Sequence, residues 1–201
     1  MSTLLKRLGP ADHGRPMTLE EFLAAGSVEG YHYELIDGEL YVSPLPNLPE
    51  NRVEDWVFDK LKQHARDRSS DINFVTNKAR VFVPGRRRTT CPEPDVAAYR
   101  NFPLDQPMDS VRWQDVSPLL VVEVLSHDDP DKDLIRNVKL YLQVPSIKEY
   151  WLFDTRDGSE RLRLEVRRRY RGQWSLREFG PGDTYTTKML PGFALVLDPR
   201  S

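Results

Sequence analysis

The 201 residues carry 31 acidic against 29 basic side chains, a net charge of −2, with 39% hydrophobic and 30% charged residues. These proportions fit one globular domain and argue against a disordered tail or a chain coated with positive charge for nucleic acid. No apolar run reaches the roughly 18 residues of a membrane helix, and the single cysteine, Cys91, excludes an internal disulfide or a thiolate zinc cage. The first ten residues show neither an apolar h-region nor a cleavage site, so a reducing, bacterial-type cytoplasm is the simplest expectation.

Residues 1–16, polar and holding Gly9-Pro10, read as a loose arm ahead of a single domain at 17–201. Thr18 and Glu21 have the spacing of a capping box, and a short helix follows until Gly26. Tyr31 to Ser43 reads as a hairpin turning at Asp37-Gly38, and the prolines at 44, 46 and 49 end it. From Asn51 to about Arg68, Val53, Val57 and Leu61 recur every four residues, with Asn51 and Glu54 resembling a second capping box. Phe74 to Val83 alternates like a half-buried strand, and Pro94 to Tyr99 is a shorter one. Leu119 to Leu125 is nearly all apolar, as in a central strand covered on both faces. An amphipathic helix from about Asp131 to Leu142 and a buried strand from Glu149 to Asp154 complete a βαβ-like unit, which calls for parallel pairing. Asp157-Gly158 then opens a hairpin over 161–179. The fold class is α/β with a mixed sheet flanked by helices and an added β-hairpin region. Arg86-Arg87-Arg88 and Arg167-Arg168-Arg169 are two basic knots, read as a solvated turn and an arginine-studded strand edge, with phosphate contact as the alternative for either.

Three carboxylates stand out. Glu123 interrupts a strand made otherwise of Val and Leu, where a lone charge costs desolvation energy unless it is paired. Asp95 opens a strand behind Pro94, and Glu34 sits on the first arm of the hairpin. Acids on separate elements that converge would suit a hard divalent cation, magnesium or manganese, with coordination positions left for water and phosphate. His13, His32, His64 and His127 have no metal-ligand spacing, and no nucleophile elbow or phosphate-binding glycine loop is present. His127, just after Glu123, reads as an exposed loop residue, with an outer-shell role as the alternative.

Tyr33-Glu34-Leu35-Ile36-Asp37-Gly38-Glu39-Leu40, Ser43-Pro44, Pro94-Asp95-Val96, Val122-Glu123-Val124-Leu125-Ser126 and Glu149-Tyr150-Trp151-Leu152-Phe153-Asp154 occur in an order that resembles the Uma-two-type family of the PD-(D/E)XK nuclease superfamily. The resemblance spans about residues 17–160. It implies a restriction-endonuclease-like fold and metal-assisted hydrolysis of DNA, with Asp95, Glu123 and Glu34 as Mg2+ or Mn2+ ligands and a lysine stabilising developing charge. It also suggests a homodimer, the strand at 161–170 offering an edge.

The lysine is where the sequence departs. The position two after the second acid is Leu125, and the helix position four after Asp133 is Asn137. Lys139 joins the three carboxylates as candidate, although two residues further is about 200° around a regular helix and points it elsewhere; Lys78, Lys132 and Arg136 are the alternatives. Asn51 stands where relatives carry a histidine. A module that keeps the fold and binds without turnover is the rival expectation.

Overall fold

The computed structural model describes residues 7–126, 129–158 and 161–200; His127 lies outside them. Its centre is a six-stranded sheet of β5 (Phe74–Thr76), β6 (Val96–Tyr99), β7 (Leu120–Leu125), β8 (Glu149–Asp154), β9 (Arg163–Tyr170) and β10 (Gln173–Phe179), side by side in that order. Only β7 and β8 pair in parallel, Leu120 opposite Glu149 through Leu125 opposite Asp154; every other neighbour is antiparallel. The expected mixed sheet and the parallel βαβ pair are both present.

The alternation of β7 divides the core into two layers. Leu120, Val122 and Val124 face one side, where Val53, Trp56, Val57 and Leu61 of helix α2 (Leu48–Asp67) cover them. Val121 and Leu125 face the other, against Leu140 and Tyr141 of α3 (Val138–Leu142) and Ile36 of the hairpin formed by β3 (Tyr31–Ile36) and β4 (Glu39–Pro44). Asp37 and Gly38 both take positive φ, 52° and 75°, as a two-residue primed turn demands. The capping box of α1 (Leu19–Ala24) forms as expected, Thr18 Oγ1 accepting from Glu21 N–H at 3.2 Å and Glu21 Oε2 from Thr18 N–H at 2.8 Å.

Several boundaries differ from expectation. Residues 7–16 are not loose: β1 (Arg7–Leu8) pairs with β2 (Gly26–Ser27), and Leu8 is buried with Phe22, Tyr33 and Leu35. Helix α2 begins at Leu48, because Asn47 has the extended backbone of a cap and Pro49 fits the first turn, where its missing N–H costs nothing. Asn51 therefore lies inside the helix and donates to Pro46 O at 3.3 Å, and the Asn51–Glu54 capping box does not form. The strand expected over 74–83 stops at Thr76; the chain beyond it instead meets residues 90–92, Val81 N–H bonding Pro92 O and Val83 N–H bonding Thr90 O, both at 2.9 Å. Strand β9 is flanked on both sides, so β10 forms that edge of the sheet. The two-stranded β11 (Thr184–Thr186) and β12 (Ala194–Val196) had no expected counterpart.

Both basic knots are partly absorbed into the fold. Arg169 donates to the carbonyls of Tyr141, Leu142, Val144 and Ile147, closing the C-terminal end of α3, and lies over the Trp174 ring. Arg86 pairs with Asp37 at the hairpin turn. None of the helices among the described residues is long and apolar enough to cross a membrane.

At the end of β8 remote from Glu123, Glu149 is buried and accepts from Trp151 Nε1 (2.9 Å), Arg168 Nε (2.8 Å), Tyr185 Oη (2.6 Å) and Thr187 Oγ1 (2.7 Å). It ties the β11–β12 hairpin to the sheet. Glu149→Ala strands those donors and is expected to cost roughly 3–5 kcal/mol; urea denaturation followed by tryptophan fluorescence measures it.

Candidate active site

The site is built on the sheet face that carries Val121 and Leu125. Extending the β6–β7 register by one residue beyond Val96–Val122 sets Asp95 opposite Glu123 on neighbouring strands. Each is held through the other's strand: Asp95 N–H donates to Glu123 Oε2 at 3.2 Å, and Val124 N–H donates to Asp95 Oδ2 at 2.6 Å. Glu123 Oε1 accepts from Tyr141 Oη at 2.8 Å and Asn137 Nδ2 at 3.0 Å. Glu123 is fully buried and Asp95 half-buried. Burial, then the nearby Asp133 and Asp95, pushes the Glu123 carboxyl well above the usual range; burial likewise pushes Asp95 up, with Lys132 opposing.

Glu34 arrives from the hairpin. Alternation along β3 puts His32, Glu34 and Ile36 on one face, and because the hairpin lies over the sheet that face is covered rather than solvated. Glu34 Oε1 accepts from Glu93 N–H at 3.1 Å and lies 3.9 Å from Lys132 Nζ; Oε2 accepts from Arg136 Nη2 at 2.5 Å. Burial alone would raise its pKa, but Lys132 and Arg136 hold the carboxyl below the ordinary value.

The cations come from a widened π-type turn, Lys132–Asn137, that leads into α3. Such turns recur at functional sites, since the extra residue per turn re-aims side chains. Here Asp133 and Asn137 are buried and Lys132 and Arg136 half-buried, whereas Asp131, Ile135 and Lys139 are exposed. Asn137 Nδ2 bridges Glu123 Oε1 and Asp133 Oδ1, the latter at 2.8 Å. Burial pushes Asp133 up to about 7, opposed by Lys132 and reinforced by Asp95 and Glu34. Lys132 stays charged: burial works against its proton, but Glu34, Asp133, Glu123 and Asp95 outweigh it.

The structure thus brings together Glu34, Asp95 and Glu123 with Lys132 and Arg136. It does not bring Lys139, which is exposed and forms no ion pair among the described residues. Lys78 would face Asp95 if β5 continued, but the strand ends two residues earlier and Lys78 is exposed. A cleft opens beside Asp95 and Asp133, lined also by His32, Pro44, Leu45 and Lys132 among others. Burial pushes His32 down, with Asp95 holding it up and Lys132 pressing it further down.

Sequence reasoning missed the enclosure around these acids. Tyr141 reads as part of an apolar stripe, yet its hydroxyl ends on Glu123. Glu54, read only as a cap partner, is a half-buried acid on α2 that accepts from Asn77 Nδ2 at 3.4 Å; burial, then Asp95, pushes it up to about 7. His32 carried a usable signal, since it precedes Glu34 by two residues and so shares its face of the strand.

Residues 19–198 match the family described as "Uma2: Putative restriction endonuclease". The chain belongs to the Uma2 family. A solved structure titled as "a putative nuclease belonging to DUF820" from Anabaena variabilis ATCC 29413 superposes with a TM-score of 0.67 at 18% identity, over 90% of this chain and 96% of that one. At that identity the likeness concerns the fold, which is that of a restriction-endonuclease-like nuclease. No curated protein matches the chain. In this Uma2 protein Asp95, one residue before β6, stands beside Glu123 of β7.

Glu34 gives a direct test of the electrostatics. Its folded pKa lies below the unfolded value of about 4.3, so its ionised form stabilises the fold above that pH and the contribution disappears as pH falls through the folded pKa. Glu34→Gln is expected to lower stability by roughly 3 kcal/mol at pH 7, with the gap to the parent narrowing below about pH 4; paired urea titrations from pH 3 to 8 measure it.

Proposed function

We propose that this protein is a divalent-metal-dependent nuclease that hydrolyses phosphodiester bonds in DNA. The observation that carries the reading is the Asp95–Glu123 pair, two carboxylates opposite one another on adjacent strands, desolvated, and both pushed toward the protonated form. Two acids held this way are costly without positive charge beside them.

The donor set fits magnesium or manganese. Oxygen ligands are what these ions prefer. Asp95 Oδ1 makes no hydrogen bond among the described residues, and Glu123 Oε2 accepts a single one, so both keep lone pairs for an ion. Among the described residues no three His, Cys, Asp or Glu side chains form a ready-made cage. Asp95 and Glu123 would then hold the ion with the remaining positions left to water and phosphate, the usual habit of magnesium. When bound, the ion supplies polarisation of the phosphate and a water of lowered pKa.

The protein's own groups fix the geometry. Asn137 and Tyr141 lock Glu123 Oε1, which leaves Oε2 facing Asp95. Both Glu34 oxygens are engaged by Glu93 N–H, Arg136 and Lys132, so we assign Glu34 to anchoring the two cations rather than to a third ligand position. Pro44, Leu45 and Pro46 form an apolar lip on the cleft.

Incubation with supercoiled, linear and single-stranded DNA in Mg2+ or Mn2+ tests the reading. Cleavage is expected to require metal and to fall at least 100-fold in Glu123→Ala. In the same preparations Mn2+ is expected to raise the Tm, and by more at pH 8 than at pH 5.5, because the ion must displace protons from carboxyls whose pKa values are raised. The absence of both cleavage and a Tm shift would overturn the proposal. A Tm shift without cleavage would favour a binding module on the same fold, the reading that Asn137 at the lysine position supports.

A further inference from the structure

We propose that Lys132 is the phosphate-facing cation of this site and takes the part of the lysine absent at position 137. The inference rests on the nuclease reading above.

Asn137 itself cannot serve. It is buried and neutral, its Nδ2 donates to Glu123 Oε1 at 3.0 Å and Asp133 Oδ1 at 2.8 Å, and its Oδ1 accepts from Arg136 Nε at 3.0 Å. An amide nitrogen has two hydrogens, and both are spent on carboxylates. Asn137 is a clamp, and the site needs its positive charge from elsewhere.

Arg136 is committed as well. Its Nη2 bonds Glu34 Oε2, its Nε bonds Asn137, and its guanidinium lies 5.1 Å over the Tyr41 ring. Lys78 and Lys139 are exposed and form no ion pair among the described residues. Lys132 differs from all three. It lines the cleft with Asp95, Val124 and Asp133, and its one ion pair among the described residues is the long 3.9 Å contact to Glu34 Oε1. An ammonium carries three donors on a rotatable stem, so Lys132 keeps donors for an incoming phosphate while Glu34 holds it at the cleft.

The backbone explains how a residue five positions before Asn137 comes to the cleft beside Asp95 and Asp133. Asp129 Oδ1 accepts from Lys132 N–H at 3.3 Å, which fixes the start of the turn. The widened Lys132–Asn137 turn then directs Lys132, Asp133, Arg136 and Asn137 inward together. The neutral clamp and the charged stem thus divide between two residues what one lysine would do.

In the step concerned, a water oxygen bonds to phosphorus and one P–O ester bond breaks. The water gives up a proton, and the leaving oxygen takes one up. Negative charge grows on the non-bridging phosphate oxygens in between, and that is where the Lys132 ammonium donates.

The full-length chain with supercoiled DNA and Mn2+ provides the test. Lys132→Met, which keeps the stem and removes the charge, is expected to slow single-turnover cleavage by 100-fold or more with little change in DNA affinity. Lys139→Met is expected to stay within about twofold of the parent, as surface changes usually do. Adding Asn137→Lys to Lys132→Met returns a cation beside Glu123 and is expected to recover at least tenfold of the lost rate. A folded Lys132→Met chain that cleaves like the parent overturns this inference and leaves the nuclease reading standing; a parent chain that never cleaves overturns both. Should Lys132→Met alone fail to fold, the double variant decides: cleavage supports the exchange of positions, and a folded, inactive double variant overturns it.

Discussion

Everything at the cleft follows from the cost of holding Asp95 and Glu123 face to face under a helix and a hairpin. Carboxylates removed from water must be protonated, hydrogen-bonded or matched by cations. Backbone N–H groups of the two strands meet part of that need, since each acid accepts from the other's strand, and this exchange fixes their relative position as firmly as the sheet register. Two backbone donors cannot neutralise two negative charges. The rest of the layer supplies part of what is missing: a tyrosine and an asparagine on Glu123, and two basic residues anchored by a third acid.

Local irregularity serves that demand. A regular α-helix carries one buried stripe, whereas the stretch before α3 turns four of six successive residues toward the acids. The widened turn achieves this, and the regular helix resumes at Val138 in time for Leu140 and Tyr141 to pack on the sheet. Likewise β3 has its Glu34 face covered because the β3–β4 hairpin packs across the sheet and does not extend it.

The opposite end of the parallel pair shows the contrast. Glu149 is as buried as Glu123, but it faces two hydroxyls, an indole and a guanidinium. Its charge is met fully by donors, and it secures the β11–β12 hairpin. One strand pair thus carries a satisfied carboxylate at one end, where it stabilises, and an under-compensated cluster at the other, where ligand chemistry has something to offer. Ligands of α/β sheets usually gather beyond the carboxyl ends of parallel strands, and Glu123 lies toward that end of β7.

The sequence by itself determined the elements whose signals are local. The Asp37-Gly38 turn, the Thr18–Glu21 cap, the apolar β7 and β8 and the helix between them are each specified within a few residues by backbone sterics and hydrophobic periodicity. Glu123 was legible for the same reason, because a charge in an apolar strand is anomalous without any partner in view. Other features needed the tertiary structure. The end of β5 at Thr76, the start of α2 at Leu48 and the anchoring of residues 7–16 depend on what each segment packs against. Helical arithmetic rightly turns Lys139 away, but the choice of Lys132 depends on a turn that departs from 3.6 residues and that no periodicity foretells. Which carboxylates are charged, and which cation faces them, is a property of distances between β3, β6, β7 and the Lys132–Asn137 turn. Burial and Coulomb energy act through space, and spacing along a chain does not carry them.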